Sequence, residues 1–565
     1  MKRKRRVKYR RIFLLLFLVG IIGGFVFLGS NTSKFISIGK HDGYIASSNH
    51  KVKVLDENYK EAIEIVRGEK VQVYSKKVID ENTQNEYVKI DYDKKSYLVD
   101  PKYIVDKMED VVLEDKMYVR TPATLYKNKD DSSILGLVKK SSELSIIGFD
   151  KLLDDGSVHK YKIKYNDKEG YVYGKYLLST LEEASLHYDQ DNSYLIHASR
   201  GNTQGGGAGG ELDFYPYEKA NFKDNVMPDE VRSLYLNSGV IGSVDEYIEL
   251  AKKSNINAFV VDIKDNTSPG YASSVMQKLS PTNYNNANNS LEGYKEAIGK
   301  LKDAGFYVIG RITVFKDSYY VTDHPESAIA NTSTGEPFDH NGSWWPSAFR
   351  RDVWEFNVEL AKEAVLEMGF NEIQFDYVRF PDRTYYLERD GQMDMKNLYE
   401  ESKAQAIQAF LMYACDELHP LGVYVSADVF GESAHNYVTG YGQYWGAISN
   451  VVDVISAMPY PDHFGAYEYG FDEIVWTVPY DLMKFWGGQY AAKRQSEVPT
   501  PAKVRTWIQA YNAIRSPYIE YDDEKIADQI RGLYDAGLDD GYMTWNSGSS
   551  LSKYEQIAPA FKKEY

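Results

Sequence analysis

One cysteine among 565 residues, Cys415, excludes an internal disulfide. It sits in the apolar helical run AFLMYACDEL, which predicts a buried, inert thiol rather than a nucleophile. No Cys/His group has the spacing of a zinc site, so no metal or organic cofactor is expected. The lack of a His-rich metal cluster also argues against a metal-dependent deacetylase. Beyond the first eleven residues acids outnumber bases. Residues 2–11 hold eight Lys or Arg and no acid, and the rest of the chain sums to −24 against a total of −16. An acidic body of this kind does not attract nucleic acid phosphates, so nucleic acid is excluded as a partner. Long apolar runs are confined to one place, Ile12 to Gly29.

That run, IFLLLFLVGIIGGFVFLG, rises about 27 Å as a helix, close to the thickness of a bilayer's hydrocarbon core. A cleaved signal peptide has a shorter core and a small-residue cleavage site, and SNTSKF after Gly29 offers none. The expectation is a single-pass signal-anchor. Segment 1–11 would be cytoplasmic, 12–29 would lie in the cell membrane, and the remaining domains would be extracellular.

What the chain has in abundance is aromatic residues, with 48 Tyr, 23 Phe and 8 Trp. Between residues 50 and 180 they alternate with polar residues in period two, as in EYVKIDYDKKSYLV and KYKIKYNDKEGYVYG, with no helical pattern. Two stretches match each other, Val88 to Ile104 and Tyr161 to Leu177. Each is a strand, a charged tight turn, a second strand, then Lys-Tyr and an aliphatic. This predicts two small all-β domains, 50–106 and 112–180. They resemble bacterial SH3-like domains, a resemblance that implies binding to peptidoglycan; a spacer role is equally open. Residues 181–228 lose periodicity around GNTQGGGAGG and read as a flexible linker.

From residue 229 to 565 strands alternate with helices. Eight apolar, β-branched runs can be counted: VRSLYLNS, NAFVVDIKD, FYVIGRITVFKD, EIQFDYVRFP, VYVSADVFG, VDVISAMPYP, VRTWIQAYN and DGYMTWNSG. Three intervening helices end in Gly305, Gly369 and Gly537, placed for the left-handed C′ position. An α/β fold with eight such units predicts a (β/α)₈ TIM barrel. The absence of G-x-G-x-x-G after the first strand disfavours a doubly wound nucleotide-binding sheet.

In such barrels chemistry sits at the C-terminal strand ends. Read there, the candidates are Asp262 and Lys264 on the second strand, Arg311 on the third, and Asp376 with Arg379 on the fourth. The fifth offers Asp428 and then Glu432. The sixth offers Tyr460 and His463, the seventh Gln509, and the eighth Trp545 and Asn546. Trp345, in the loop after the third strand, is a candidate for stacking on a sugar face. Two carboxyls flanking a glycosidic bond are the minimum for its hydrolysis. Asp376 and Asp428 end consecutive strands, and Arg379 could hold Asp376 ionised.

The motifs VVDIKD, RITVFKD, FDYVRFP, SADVFG, MPYPDHF and YMTWNS resemble a family of bacterial glycosyl-hydrolase-like domains, over residues 228–560. The resemblance extends distantly to amylase-like and α-galactosidase-like barrels. It implies Asp376 as nucleophile and Asp428 as acid/base, with Glu432 a rival because amylase-like enzymes use Glu on that strand. Where a further acid is expected after Gln509, this chain has Ala510. The resulting expectation is a membrane-anchored glycoside hydrolase acting on a polysaccharide or cell-wall glycan. The alternative is a catalytically inactive glycan-binding barrel that organises the wall.

Overall fold

The computed structural model describes residues 39–186 and 206–565. The apolar run 12–29 lies outside the described residues. Among the described residues no helix is long and apolar enough to cross a membrane. The described residues divide into two compact units, 39–119 with 141–181, and 120–140 with 182–186 and 206–565.

The first unit is all β with short 3₁₀ turns. One sheet orders its strands Glu61–Val66, Lys51–Leu55, Lys95–Val99, Glu86–Tyr92, Lys70–Ile79, Lys40–Ile45 and Ile104–Val105. It begins at Lys40, ten residues before the boundary read from sequence, because Lys40–Ile45 shows little alternation of its own. The order Lys168–Tyr173, Lys160–Tyr165, Glu143–Phe149, Lys116–Val119, Leu177–Leu178 repeats the last five places of the first sheet. The matched stretches seen in sequence are the equivalent hairpins. Their tips, Asp93-Lys94 and Asn166-Asp167, all have positive φ, between 44° and 64°. Consecutive left-handed residues twist a two-residue turn to suit antiparallel strands. Val52, Val54, Ile65, Val71, Val73 and Ile90 form the core of the first sheet. Arg67, fully buried, ties the two copies together. It donates to Glu114 at 2.8 and 3.0 Å and to the Gly156 carbonyl at 2.9 Å.

The second unit contains eight parallel strands. They are β1 (Val231–Leu236), β2 (Ala258–Asp265), β3 (Tyr307–Thr313), β4 (Glu372–Asp376), β5 (Tyr424–Phe430), β6 (Val454–Met458), β7 (Lys503–Val504 and Thr506–Gln509) and β8 (Gly541–Trp545). Each pairs with the next. The first part of β7 pairs with β6, the second part pairs with β8, and β8 pairs with β1. The result is an α/β barrel-like parallel sheet. Its major helices are α1 (Val244–Lys252), α2 (Leu291–Asp303), α3 (Arg351–Met368), α4 (Lys403–Leu418), α5 (Trp445–Val451), α6 (Pro479–Trp486), α7 (Asp523–Asp535) and α8 (Leu551–Ile557). The helix ends follow local chemistry. Ser402 and Gln405 close a capping box on α4. Gly305, Gly369 and Gly537 have φ of 88°, 67° and 79°, so each turns the chain into or toward the next strand.

The strands are buried on both faces, and their inward residues fall in layers. At the floor Arg505 grips Glu372 at 2.9 and 3.0 Å, and the Tyr307 hydroxyl donates to the same carboxylate at 3.0 Å. Above it lie Gln374, Ser456 and Met543. The ionisable cluster described below forms the top.

The linker expectation fails from Gly206 onward. Leu212 and Phe214 pack with Ala404, Val438, Tyr444 and Ala447, and Ala220, Phe222 and Met227 pack against the barrel core. Lys219 Nζ donates to the carbonyls of Ser449, Asn450 and Val452. These contacts come from residues with no regular spacing, so no period of two or 3.6 announces them. The stretch 120–140, read from sequence as part of the second β domain, falls in the barrel unit. There the Tyr413 hydroxyl donates to the Ser132 carbonyl at 2.8 Å.

Gly541 opens β8 at φ 112°, and a Cβ there would stand 2.0 Å from the Val231 carbonyl oxygen. Gly541→Ala should therefore force β1 and β8 apart. A loss of about 1–3 kcal/mol is expected in urea unfolding of the barrel, the range for overpacking a tight site.

Candidate active site

The register of the sheet sets the site. Gln374 pairs with Ser426 and Phe375 with Ala427, so Asp376 and Asp428 occupy the next rung of adjacent strands. Asp262 lies opposite Arg311 on β2 and β3. All four point inward, and the Arg311 guanidinium is their hub. Its Nη1 donates to Asp262 at 2.7 Å and reaches Asp265 at 3.5 Å. Its Nε and Nη2 donate to Asp376 Oδ2 at 3.0 and 2.5 Å. Nε also stands 4.0 Å from Asp428 Oδ2. The two Oδ2 atoms, 3.0 and 4.0 Å from one nitrogen, are therefore at most about 7 Å apart.

The environments of these carboxyls differ. Asp428 is wholly buried. Its Oδ1 accepts from the Trp507 indole at 2.8 Å, while Oδ2 has no hydrogen-bond partner. Burial, reinforced by the charge of Asp376, raises its pKa well above the usual carboxylate range. Burial also pushes Asp262 up to about 6, against the pull of Arg311 and a hydrogen bond from the Tyr235 hydroxyl. At Asp265 burial is outweighed by Arg311 and by the Thr313 hydroxyl at 2.8 Å, and the pKa is lowered. Asp265 is also the open edge of the cluster, with its side chain 37% exposed, against 8% for Asp376 and none for Asp428.

Tyr377, directly after Asp376, adopts φ 49°, an uncommon conformation for an aromatic residue. It turns the Tyr377 N–H onto Asp376 Oδ1 at 2.5 Å. Strain of this kind collects where a side chain must be aimed. Trp545 covers one side of the hub, with its ring 4.5 Å from Tyr235 and 5.4 Å from the Arg311 guanidinium carbon. Tyr460 is buried in the same aromatic group.

The other candidates lie apart from this cluster. A bulge after Asp262 pairs Lys264 with Ile312 and turns it outward, where it is buried against Asp317 at 2.7 Å and sits over the Phe356 ring. Arg379 does not meet Asp376, which is held by Arg311 instead. Arg379 bonds the Phe380 carbonyl and Asp382, enclosed by Phe430, Trp345 and Tyr377. Trp345 is itself buried in that packing. Gln509 braces the Asp462 and Tyr511 backbone, and Asn546 donates to the Ala510 carbonyl, so both hold loops in place. His463 is half-exposed and touches the Tyr511 hydroxyl at 3.3 Å. Glu432 lies beyond the end of β5 and accepts from the hydroxyls of Tyr437 and Tyr441 at 3.0 and 2.9 Å.

Tyr235, Asp265 and Trp507 also belong to the cluster. Strand parity could have found two of them. Arg505, Trp507 and Gln509 share one face of β7, as Val231, Ser233 and Tyr235 share one face of β1. Among the described residues no group of three His, Cys, Asp or Glu is arranged to hold a metal ion.

No curated protein sequence matches this chain. Among solved structures, a hypothetical protein from Ruminiclostridium thermocellum ATCC 27405 is 33% identical with a TM-score of 0.30, covering 35% of this chain and 97% of that one. The glycoside hydrolase domain of PgaB (BpsB) from Bordetella bronchiseptica is 14% identical with a TM-score of 0.44, covering 59% and 98%. The β-N-acetylhexosaminidase of Bacteroides fragilis NCTC 9343 is 15% identical with a TM-score of 0.39, covering 59% and 66%. The model of the family described as "Putative glycosyl hydrolase domain" matches residues 233–551, more than half of the chain and nearly all of the barrel. The chain belongs to that family.

Proposed function

We propose that the barrel is a retaining glycoside hydrolase, with Asp376 as nucleophile and Asp428 as acid/base. The observation that carries the reading is the split environment of this pair around Arg311. One carboxylate is gripped by a guanidinium and a backbone N–H, and its neighbour on the same rung is buried and unpaired at Oδ2. Two neighbouring carboxyls held in unlike environments are what acid-plus-nucleophile chemistry needs. Their separation of at most about 7 Å admits the roughly 5–5.5 Å of the double-displacement mechanism.

In that mechanism Asp376 Oδ1 or Oδ2 bonds to the anomeric carbon while the glycosidic bond breaks. The Asp428 proton passes to the departing oxygen, and water then cleaves the ester with Asp428 as base. Because Asp428 is covered, substrate entry must part the side chains above it; Asp265 is the exposed carboxyl of the cluster. The substrate is a polysaccharide or cell-wall glycan. The N-terminal segment would anchor the chain in the membrane with its domains outside. The two β domains would be SH3-like and hold the chain to peptidoglycan.

A panel of polysaccharides and aryl glycosides should show turnover, with products that keep the anomeric configuration by NMR. Inverted products would replace the double displacement with a single one. Ala510, where a β7 acid was expected, favours a second reading, a silent glycan-binding barrel. Calorimetric binding of a glycan that is never cleaved would establish it.

The pH profile gives a further check. Activity should fall on the alkaline side as Asp428, whose pKa burial raises, loses its proton. Asp428→Asn should lower kcat by about 10²–10⁴-fold and remove the alkaline limb. An unchanged alkaline limb would assign the acid elsewhere, Glu432 first.

A further inference from the structure

A cavity of about 690 Å³ lies beyond the ends of β4, β5 and β6. Phe430 and Met458, the last residues of β5 and β6, form part of its wall. Four tyrosines, Tyr385, Tyr437, Tyr441 and Tyr469, line it further. His435 extends this aromatic surface, lying 5.6 Å from the Tyr437 ring and 6.0 Å from the Tyr469 ring, near-parallel to both.

Three carboxylates line the cavity, and their pairing differs. Asp382 is matched by Arg379 at 3.3 Å and Arg383 at 3.7 Å. Glu468 caps the Gly465 N–H at 2.9 Å. Glu432 accepts only the hydroxyls of Tyr437 and Tyr441, and among the described residues no cation pairs with it. Two of its roughly four acceptor positions are thereby used, and the others are unfilled by those bonds. A carboxylate without a counter-cation, in a cavity partly lined by tyrosines, is a recognition site for an ammonium group. The ring quadrupoles and the carboxylate attract the same charge, and hydroxyl donors keep the carboxylate in place.

We infer that this cavity is a subsite for a sugar carrying a free ammonium group, with Glu432 as its specificity-determining residue. The inference rests on the glycan reading above and names its substrate class, a polymer of hexosamine at least partly free of N-acyl groups. An N-acetyl group in the same place would carry no charge for Glu432 and would add bulk against the tyrosines.

The test is calorimetry on the full chain carrying Asp376→Asn, which keeps ligands intact. It compares a β-1,4-linked glucosamine tetramer with its fully N-acetylated counterpart. The glucosamine form should bind at least about tenfold more tightly. Glu432→Gln should erase that preference while leaving the weaker N-acetylated affinity within about threefold. The wild-type preference alone suffices if Glu432→Gln does not fold. Choline chloride, as competitor, separates the two sources of ammonium. Displacement of the tetramer by millimolar choline, with no sugar dependence, would reassign the pocket to choline-bearing polymers and overturn the amino-sugar inference. Equal affinity for the two tetramers, no binding of either, or a preference that survives Glu432→Gln would also overturn it. Preference without any turnover would retain the subsite and remove the hydrolase; turnover without preference would do the reverse.

Discussion

Asp376→Asn should leave a folded barrel whose turnover is lower on the order of 10⁴-fold, the scale on which losing one member of a catalytic unit leaves only binding and residual electrostatics. The substitution keeps size and shape but removes the charge and the nucleophilic oxygen pair. Its structural cost is bounded by the partners. Asp376 accepts from Arg311 on one oxygen and from the Tyr377 N–H on the other. An amide presents one oxygen and one NH₂, so whichever way it faces, at least one donor loses its acceptor. That costs about 1–3 kcal/mol. Stability should therefore fall modestly in urea unfolding, near-UV circular dichroism should stay native-like, and cleavage of the best glycan should be lost. Cleavage within tenfold of the parent would take Asp376 out of the mechanism.

The sequence conveyed the barrel because a strand buried on both faces must be apolar and β-branched, and eight such runs each have a helix between them and the next. It conveyed the strand ends because Asp262, Arg311, Asp376 and Asp428 interrupt those runs with charge, which burial tolerates only in company. Partnership was harder to read. Arg379, three residues from Asp376, looked like its cation, while the true one is 65 residues away on the neighbouring strand. The bulge that turns Lys264 outward leaves no mark in the string VVDIKD. The segment 206–228 hides its packing because its anchors, Leu212, Phe214, Phe222 and Met227, follow no period. Glu432 and its tyrosines lie in loops, where spacing along the chain says little about approach in space. In each case what escaped was a contact between distant residues, and what was visible was a residue type at the end of a regular element.

Arg311→Met tests the hub itself, and its effect on stability should be the largest of any single change in the barrel mouth. Methionine fills much of the same volume, so the loss isolates the guanidinium. Without it Asp262, Asp265 and Asp376 share one mouth uncompensated, and Asp428 remains beside them. Removing one partner of a buried ionic group costs about 3–5 kcal/mol, and that loss is expected in urea unfolding of the barrel at neutral pH. Its pH dependence has a definite sign. In the parent, Arg311 holds Asp265 below its ordinary value, so the stability it contributes is lost as the pH falls through that lowered pKa. In the variant the crowded carboxyls have raised pKa values and bind protons in the native state more readily than when unfolded, so acidification stabilises it relative to neutral pH. The two stability curves should therefore converge toward acid pH. Arg311→Lys, which keeps a charge but not the fork that spans three carboxylates, should fall between them. A methionine variant within about 1 kcal/mol of the parent, with a gap that does not change with pH, would mean that the carboxyls do not depend on Arg311 for their charge. The division of roles between Asp376 and Asp428 would then lose its physical basis.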